Sequence, residues 1–393
     1  MNGNAVSLDG EAQDVAGMLR DSARDFAARE QDLAAFRQRM QTLPGHDAAQ
    51  FARMHELGWR AVLVREELGG AGLGLREAAA VAEELGKALL GEPYVATAVL
   101  PIRLLQGDSA SPGAAALQRR AADAEVTLAL AWQEQPGSID PAAITAQARR
   151  AGAGFLLSGR KGWVAGAAAA SDFLVSARTA GGISVFHVPR DAHGVKLTHS
   201  WQADGTPSFA LELADVELPA SSELLPAGSG AGALARALDA AAVVASAELM
   251  GVARAAFEMT LAYMRTRVQF EKPIGSFQAL QHKAADLLVQ RELGAAVLEE
   301  AVAAFDAGDK SDAELGRIAS RCKARCSDAA LRITRECIQL HGAIGYTHEY
   351  DIGLYLKRAL VLAAWLGNGS QHRRRHFALS SVHPGEHHEP FKT

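Results

Sequence analysis

The chain lacks most of the features that mark a specialised class. Cysteine occurs three times in 393 residues, as Cys322, Cys326 and Cys337, so a disulfide framework is excluded. Cys322 and Cys326 stand one helical turn apart, but no His or Cys follows at zinc-site spacing, and all three read as reduced, buried or half-buried thiols. The net charge is only −5, which gives no electrostatic case for nucleic acid or a membrane surface. The runs Arg119–Arg120 and Arg373–Arg375 read as solvated helix faces. No stretch approaches the roughly 18 apolar residues of a membrane span. The start, MNGNAVSLDGEAQDVAG, has neither the basic region nor the apolar core of a signal peptide, so the expected compartment is the cytoplasm. His187, His193 and His199 have no ligand partners at metal spacing and are expected at strand edges or in loops. The HPGEHHEPFKT tail reads as a disordered or packing extension, with no metal site expected anywhere.

What is present is a large apolar share, 49%, with mean hydropathy near zero. That is the profile of a helix-rich globular chain, long enough for two or three packed regions. Residues 11–120 have helical periodicity. Gly69, Gly70, Gly72 and Gly74 interrupt it, and a helix carrying Ala79, Val81, Ala82 and Leu85 follows, with Gly74 in place of a capping side chain. From residue 126 the pattern changes to short apolar segments bounded by Gly, Asp, Ser or Pro: VTLALAW, GFLLSGRKGWV, DFLVSAR, GISVFHV and SFALELADVEL. Their connections are too short for α crossovers, so an antiparallel β region is expected and a Rossmann unit is not. Helices return over 232–266, 275–306, 311–341 and 351–380. The fold class is therefore α+β: a helical domain (1–125), an antiparallel β-domain (126–225) and a helical bundle (226–393). A cofactor cleft is expected at their junction.

One stretch breaks the last helical region: RVQFEKPIGSFQALQHKAADL (267–287), where Pro273 and Gly275 stop a helix between Arg267 and Gln278. An arginine before such a break suits a pyrophosphate, which favours bidentate cations and donors near a helix terminus. With LGWRAVLVREELGGAGLGLREAAAVAEELG (57–86), GFLLSGRKGWVAGAAAASDFLV and QLHGAIGYTHEYDIGLYLKRA (339–359) in order, the chain resembles the acyl-CoA dehydrogenase family over most of its length. The resemblance implies FAD, α,β-dehydrogenation of an acyl-CoA thioester and transfer of electrons to an electron-transfer flavoprotein. It also implies an N-terminal helical domain, a middle β-domain, a C-terminal four-helix bundle and assembly as a tetramer. It assigns flavin contacts to Arg267, Phe270, Phe277 and Gln278, and to Gln339, Leu340, His341, Gly342 and Ala343 reaching FAD held by a neighbouring subunit. Trp163 falls beside the isoalloxazine ring. Ser138, in WQEQPGSID, becomes a flavin or thioester contact, with Trp132 and Gln133 on the same wall.

The proton-accepting Glu of the family is missing. Its usual place, a Tyr-Glu-Gly-Thr-like turn, reads WLGNGSQHRRR, with Asn368 at the matching position and Gly367 before it. Neither is a base near neutral pH. The alternative family position, on the preceding helix, is Ala241, and the Arg that often follows is Ala242. Asp239 matches a position linked to substrate contacts and lies about 200° around the helix from Ala241; Glu248 lies on Ala241's face, roughly 10 Å along. Three readings stay open: a dehydrogenase with a relocated base, an FAD-binding partner subunit of a heteromeric dehydrogenase, or a related oxidase or monooxygenase.

Overall fold

The structure, a computed structural model, describes residues 5–108 and 110–380; the HPGEHHEPFKT tail lies outside them. Six helices come first: α1 (Ala5–Glu30), α2 (Leu33–Arg39), α3 (Ala48–Glu56), α4 (Leu75–Lys87), α5 (Leu100–Leu105) and α6 (Pro112–Ala122). The cap missing from the local sequence at Gly74 is supplied from afar. The Asp306 carboxylate accepts the Leu75 and Arg76 amides at 2.7 and 3.0 Å, satisfying the open first turn of α4.

Eight strands follow: β1 (Leu128–Ala131), β2 (Gln147–Ala151), β3 (Gly154–Val164), β4 (Asp172–Thr179), β5 (Gly182–Pro189), β6 (Val195–Trp201), β7 (Pro207–Pro219) and β8 (Glu223–Leu225). Their order is β6-β7-β3-β2-β4-β5-β8, with β1 pairing β4. The five expected strands are all present. β2, β6 and β8 went unread because their alternation is weak: QARRA is mostly polar, VKLTHSW is largely exposed, and ELL is too short to show a period. The sheet is antiparallel except where β1 runs parallel to β4 and β2 touches β4 at one parallel pair.

The last region holds α7 (Gly230–Thr266), a hairpin of β9 (Val268–Gln269) and β10 (Lys272–Pro273), α8 (Gln278–Ala307), α9 (Asp312–His341), α10 (Ile352–Ala364) and α11 (Gly369–Ser380). Three of the four expected helices fall within a few residues of their places. The fourth, 351–380, is two helices: Leu366 and Gly367 take φ of 59° and 103°, a left-handed turn no α-helix contains. α7 is apolar and long enough to cross a membrane by composition, yet 94% of its apolar window is buried inside the protein. It is the central post, packed between α4 and α9. Small residues let it approach α4 closely: a Cβ on Gly251 would lie 1.9 Å from the Glu83 carbonyl oxygen.

The three cysteines are free and buried, as expected. The arginine run on α11 is not wholly solvated, because Arg375 forms a bidentate pair with buried Asp239. His187 on β5 is 2.6 Å from Asp172, His193 is in the β5–β6 loop, and His199 on β6 packs edge-on against Trp201.

Candidate active site

A cavity of about 520 Å³ opens where the two helical regions meet the sheet. Trp163 stands on its wall, 46% exposed. The pairing of β3 with β7 shifts register between Lys161 and Val164, and Trp163 takes φ of 50°. A bulge of this kind turns one side chain out of the alternation and aims it. Beneath it, Lys161 is fully buried and donates to Glu134 at 2.6 Å, which in turn accepts the Thr145 and Ala146 amides at 2.7 and 3.0 Å. Burial pushes the Lys161 ammonium down to about 8 against the opposing pull of Glu134. This pair anchors the 132–146 loop beside the cavity. Gln133, Pro136 and Gly137 of that loop line the cavity; Ser138 and Trp132 do not. The Ser138 carbonyl instead accepts the Gln133 side chain at 3.1 Å.

Gly367 and Asn368 are on the cavity wall with Gln371. The Asn368 side chain accepts the Gln371 amide at 3.0 Å while Gln371 accepts the Asn368 amide at 2.8 Å. That reciprocal pair is a capping box for α11, and the Gln371 side chain also donates to the Gly137 carbonyl. The turn is braced from inside by Lys323, fully buried on α9. Its ammonium donates to the carbonyls of Leu362, Ala363 and Gly367 at 2.9, 3.3 and 3.1 Å and to Ser327 Oγ at 3.2 Å. Burial pushes Lys323 down to about 7, and burial with this neighbouring cation pushes His372 down to about 4.

The other acids are differently placed. Asp239 is outside the cavity, in a small crevice with Trp132, Leu366 and His372, held by Arg375. Burial raises its carboxyl although Arg375 opposes the rise. Two carboxylates line the cavity, Glu248 and Glu92. Arg358 on α10 donates from Nε to Glu248 Oε1 at 3.0 Å and from Nη1 to Asp204 Oδ2 at 3.0 Å. Burial works against that charge, but the two carboxylates outweigh it and hold the guanidinium above its ordinary value. Glu92 is 3% exposed and accepts the Asp47 amide at 3.1 Å. Burial is the main cause of its raised carboxyl. A buried π-helical turn, Val95–Val99, follows it and lends Val95 and Ala96 to the cavity.

The remaining sequence-derived residues gather elsewhere. Arg267, Phe270, Phe277 and Gln278 belong to the β9–β10 hairpin and the start of α8, and none lines the cavity. Phe270 is 85% exposed, its ring edge-on to Phe277 at 6.1 Å, with the Lys272 ammonium 4.6 Å over Phe277. The Arg267 guanidinium makes no ion pair among the described residues. Gln339, Gly342 and Ala343 are exposed at the end of α9, where Tyr346 points its hydroxyl at Gln339 at 3.4 Å. Leu340 and His341 are buried. His341 stacks on Tyr263 at 4.4 Å, and its Nδ1–H donates to the Cys337 carbonyl at 2.7 Å. Because Tyr263 is on α7, this stack brings the two expected flavin-binding segments to one exposed end of the molecule. Sequence reading missed Glu92, Lys161, Lys323 and Arg358. Only a lysine amid small residues, as in RCKARC, hinted that one of them is buried.

Comparison with known proteins matches this arrangement. Residues 13–104, 129–216 and 228–376 match the acyl-CoA dehydrogenase N-terminal, middle and C-terminal domains. The chain is 31% identical over 343 residues to acyl-CoA dehydrogenase IpdE2 of Mycobacterium tuberculosis (strain ATCC 25618 / H37Rv), covering 87% of this chain and 90% of that one. A solved structure described as a Tcur3481-Tcur3483 steroid ACAD G363A variant superposes with TM-score 0.85 at 27% identity, over 94% of this chain and 98% of that one. A glutaryl-CoA dehydrogenase from Mycobacterium smegmatis, solved in complex with FADH2, shares the fold with TM-score 0.84 at 23% identity, over 94% and 95% of the two chains. With three domain matches in order and a relative this similar along nearly the whole chain, the protein belongs to the acyl-CoA dehydrogenase family of FAD-dependent oxidoreductases acting on CH–CH bonds.

Proposed function

We propose that this chain removes the α- and β-hydrogens of an acyl-CoA thioester and passes the electrons to an electron-transfer flavoprotein, in an oligomer whose FAD sites are each shared by two chains. The observation that carries this reading is the split between Trp163 on the cavity wall and the exposed end bearing Arg267, Phe270, Gln339 and Gly342. One chain does not bring them together; a second copy completes the set. FAD, when bound, supplies the acceptor for the hydride leaving the β-carbon. Trp163 would lie against its ring, and Arg267, which makes no ion pair among the described residues, would pair with its pyrophosphate. The cavity's apolar stretch of Val95, Ala96, Leu362 and Trp365 excludes water and receives the acyl group.

A second reading, that the chain is the FAD-binding partner in a heteromer whose sister subunit supplies the base, is favoured by the 367–368 turn. Gly367 has no side chain, and the Asn368 side-chain oxygen is committed to the α11 cap. Purified protein is expected to be yellow with one FAD per chain, and Arg267→Ala to lower flavin content sharply. Anaerobic addition of acyl-CoA is expected to bleach the flavin. A colourless protein that cannot be reconstituted with FAD rejects both readings; a yellow protein that no acyl-CoA bleaches leaves the partner-subunit reading.

A further inference from the structure

The cavity has two chemically different ends. At one, the C-terminal end of α10, stand Gly367 and Asn368, tied to Gly137 through Gln371. At the other stand Glu248 and Arg358, with Asp204 behind them. The 41–46 segment closes this second end by docking on the β6–β7 turn, where the Gln41 amide donates to the Gly205 carbonyl at 2.9 Å. α10 forms the wall between the ends. Arg358 and Ala364, six residues apart, are separated by about 9 Å along its axis, so a group of about that length spans from the Gly367 end to Glu248, which Arg358 holds.

Glu248 is 7% exposed, and Arg358 directs both Nε and Nη2 onto a single oxygen, Oε1. Asp204 is already satisfied, accepting from Arg358 and from the Thr206 amide and hydroxyl at 2.9 and 2.6 Å. Glu248 Oε2 accepts no hydrogen bond among the described residues. Glu92 Oε2 also has no partner but is fully buried, whereas Glu248 Oε2 keeps some exposure. The result is a carboxylate clamped by a guanidinium, with one unmatched acceptor oxygen at the end of a chamber with apolar sides. A methyl tail leaves that oxygen desolvated and unpaired, which is unfavourable. A carboxylate tail meets two carboxylates against one guanidinium and is repelled.

Resting on the acyl-CoA reading above, we propose that the preferred substrate carries a hydroxyl, a hydrogen-bond donor, at the far end of its acyl group, and that Glu248 Oε2 accepts from it. The test uses the FAD-loaded full chain with three acyl-CoAs of equal length ending in methyl, hydroxyl or carboxylate. Affinity is read by calorimetry, and kcat/KM by flavin bleaching. The hydroxyl-tailed compound is expected to bind about 10- to 100-fold more tightly than the methyl-tailed one, with the carboxylate-tailed one weakest. Glu248→Gln, which keeps an oxygen for Arg358 but turns an NH2 toward the tail, is expected to abolish the hydroxyl preference and relieve the exclusion of the carboxylate. Glu248→Ala is expected to abolish the preference as well. Equal binding of all three by the wild type, or preference for the carboxylate, overturns the proposal. So does a Glu248→Gln variant that loses turnover on every tail alike with binding unchanged, because Glu248 then serves as the base. If binding shows the hydroxyl preference but no compound bleaches the flavin, the dehydrogenation reading fails and the tail assignment stands.

Discussion

A lysine enclosed by carbonyls with no carboxylate beside it is a brace whose strength follows pH. Lys323 is fully buried, and burial pushes it from its ordinary 10.5 to about 7. Between about 7 and 10.5 the unfolded chain binds a proton at this site that the folded chain does not, so stability from this group rises with pH through that window. It is greatest above 10.5 and lost as pH falls through about 7. Relative to Lys323→Met, the wild type is therefore expected to gain stability by up to about 1.4 kcal/mol per pH unit between pH 7.5 and 9.5. Urea unfolding of both proteins at three pH values reads this directly, and a flat difference shows that the ammonium stays charged when buried. Lys161 behaves differently because Glu134 offsets its burial, leaving it nearer its ordinary range at about 8.

At the level of elements, the turn between α10 and α11 is where helical periodicity misleads. The break at Leu366 and Gly367 is signalled locally by Gly367, Asn368 and Gly369, and tertiary contacts hold it: Lys323 collects the last carbonyls of α10, and Asn368 starts α11 anew. Because Asn368 works as a cap, Asn368→Ala is expected to cost about 1 kcal/mol, within the 0.5–2 kcal/mol typical of lost caps. Acyl-CoA bleaching should fall by much less than the 10²–10⁴-fold expected for a lost general base. Thermal unfolding and stopped-flow bleaching of one preparation check both. A large loss of rate with unchanged stability returns the catalytic role to Asn368.

Across the whole molecule, exposed large apolar side chains recur on α8 and at the β9–β10 hairpin and α9 end. Leu288, Val289 and Leu293 of α8 are exposed, and Val268, Phe270, Ile344 and Tyr346 are exposed at the end bearing the two segments proposed to bind flavin. Apolar area of this kind beside the proposed flavin contacts is characteristic of a protein interface. On the proposed shared-site assembly, Val289→Lys combined with Leu293→Lys is expected to dissociate the oligomer and release FAD together, since that contact would align Trp163 of one chain with Arg267 of the next. Light scattering with flavin absorbance across a dilution series tests this; a monomer that keeps its flavin contradicts it.

The residue pattern by itself determined the α–β–α order, the five stronger strands, the long helices and the family motifs, because periodicity and turn chemistry are local and survive without the fold. It also singled out Trp163 and Asn368, which the fold brings to one cavity. What only the tertiary structure decided was which charges are free. Asp239, Glu248 and Glu92 are equivalent as letters, yet one is held by Arg375, one is half-occupied by Arg358 and one is sealed behind the Asp47 amide. Each outcome depends on a partner between 45 and 136 residues away. No local pattern encodes such a pairing, because it exists only once packing has removed the water that would otherwise solvate all three acids alike.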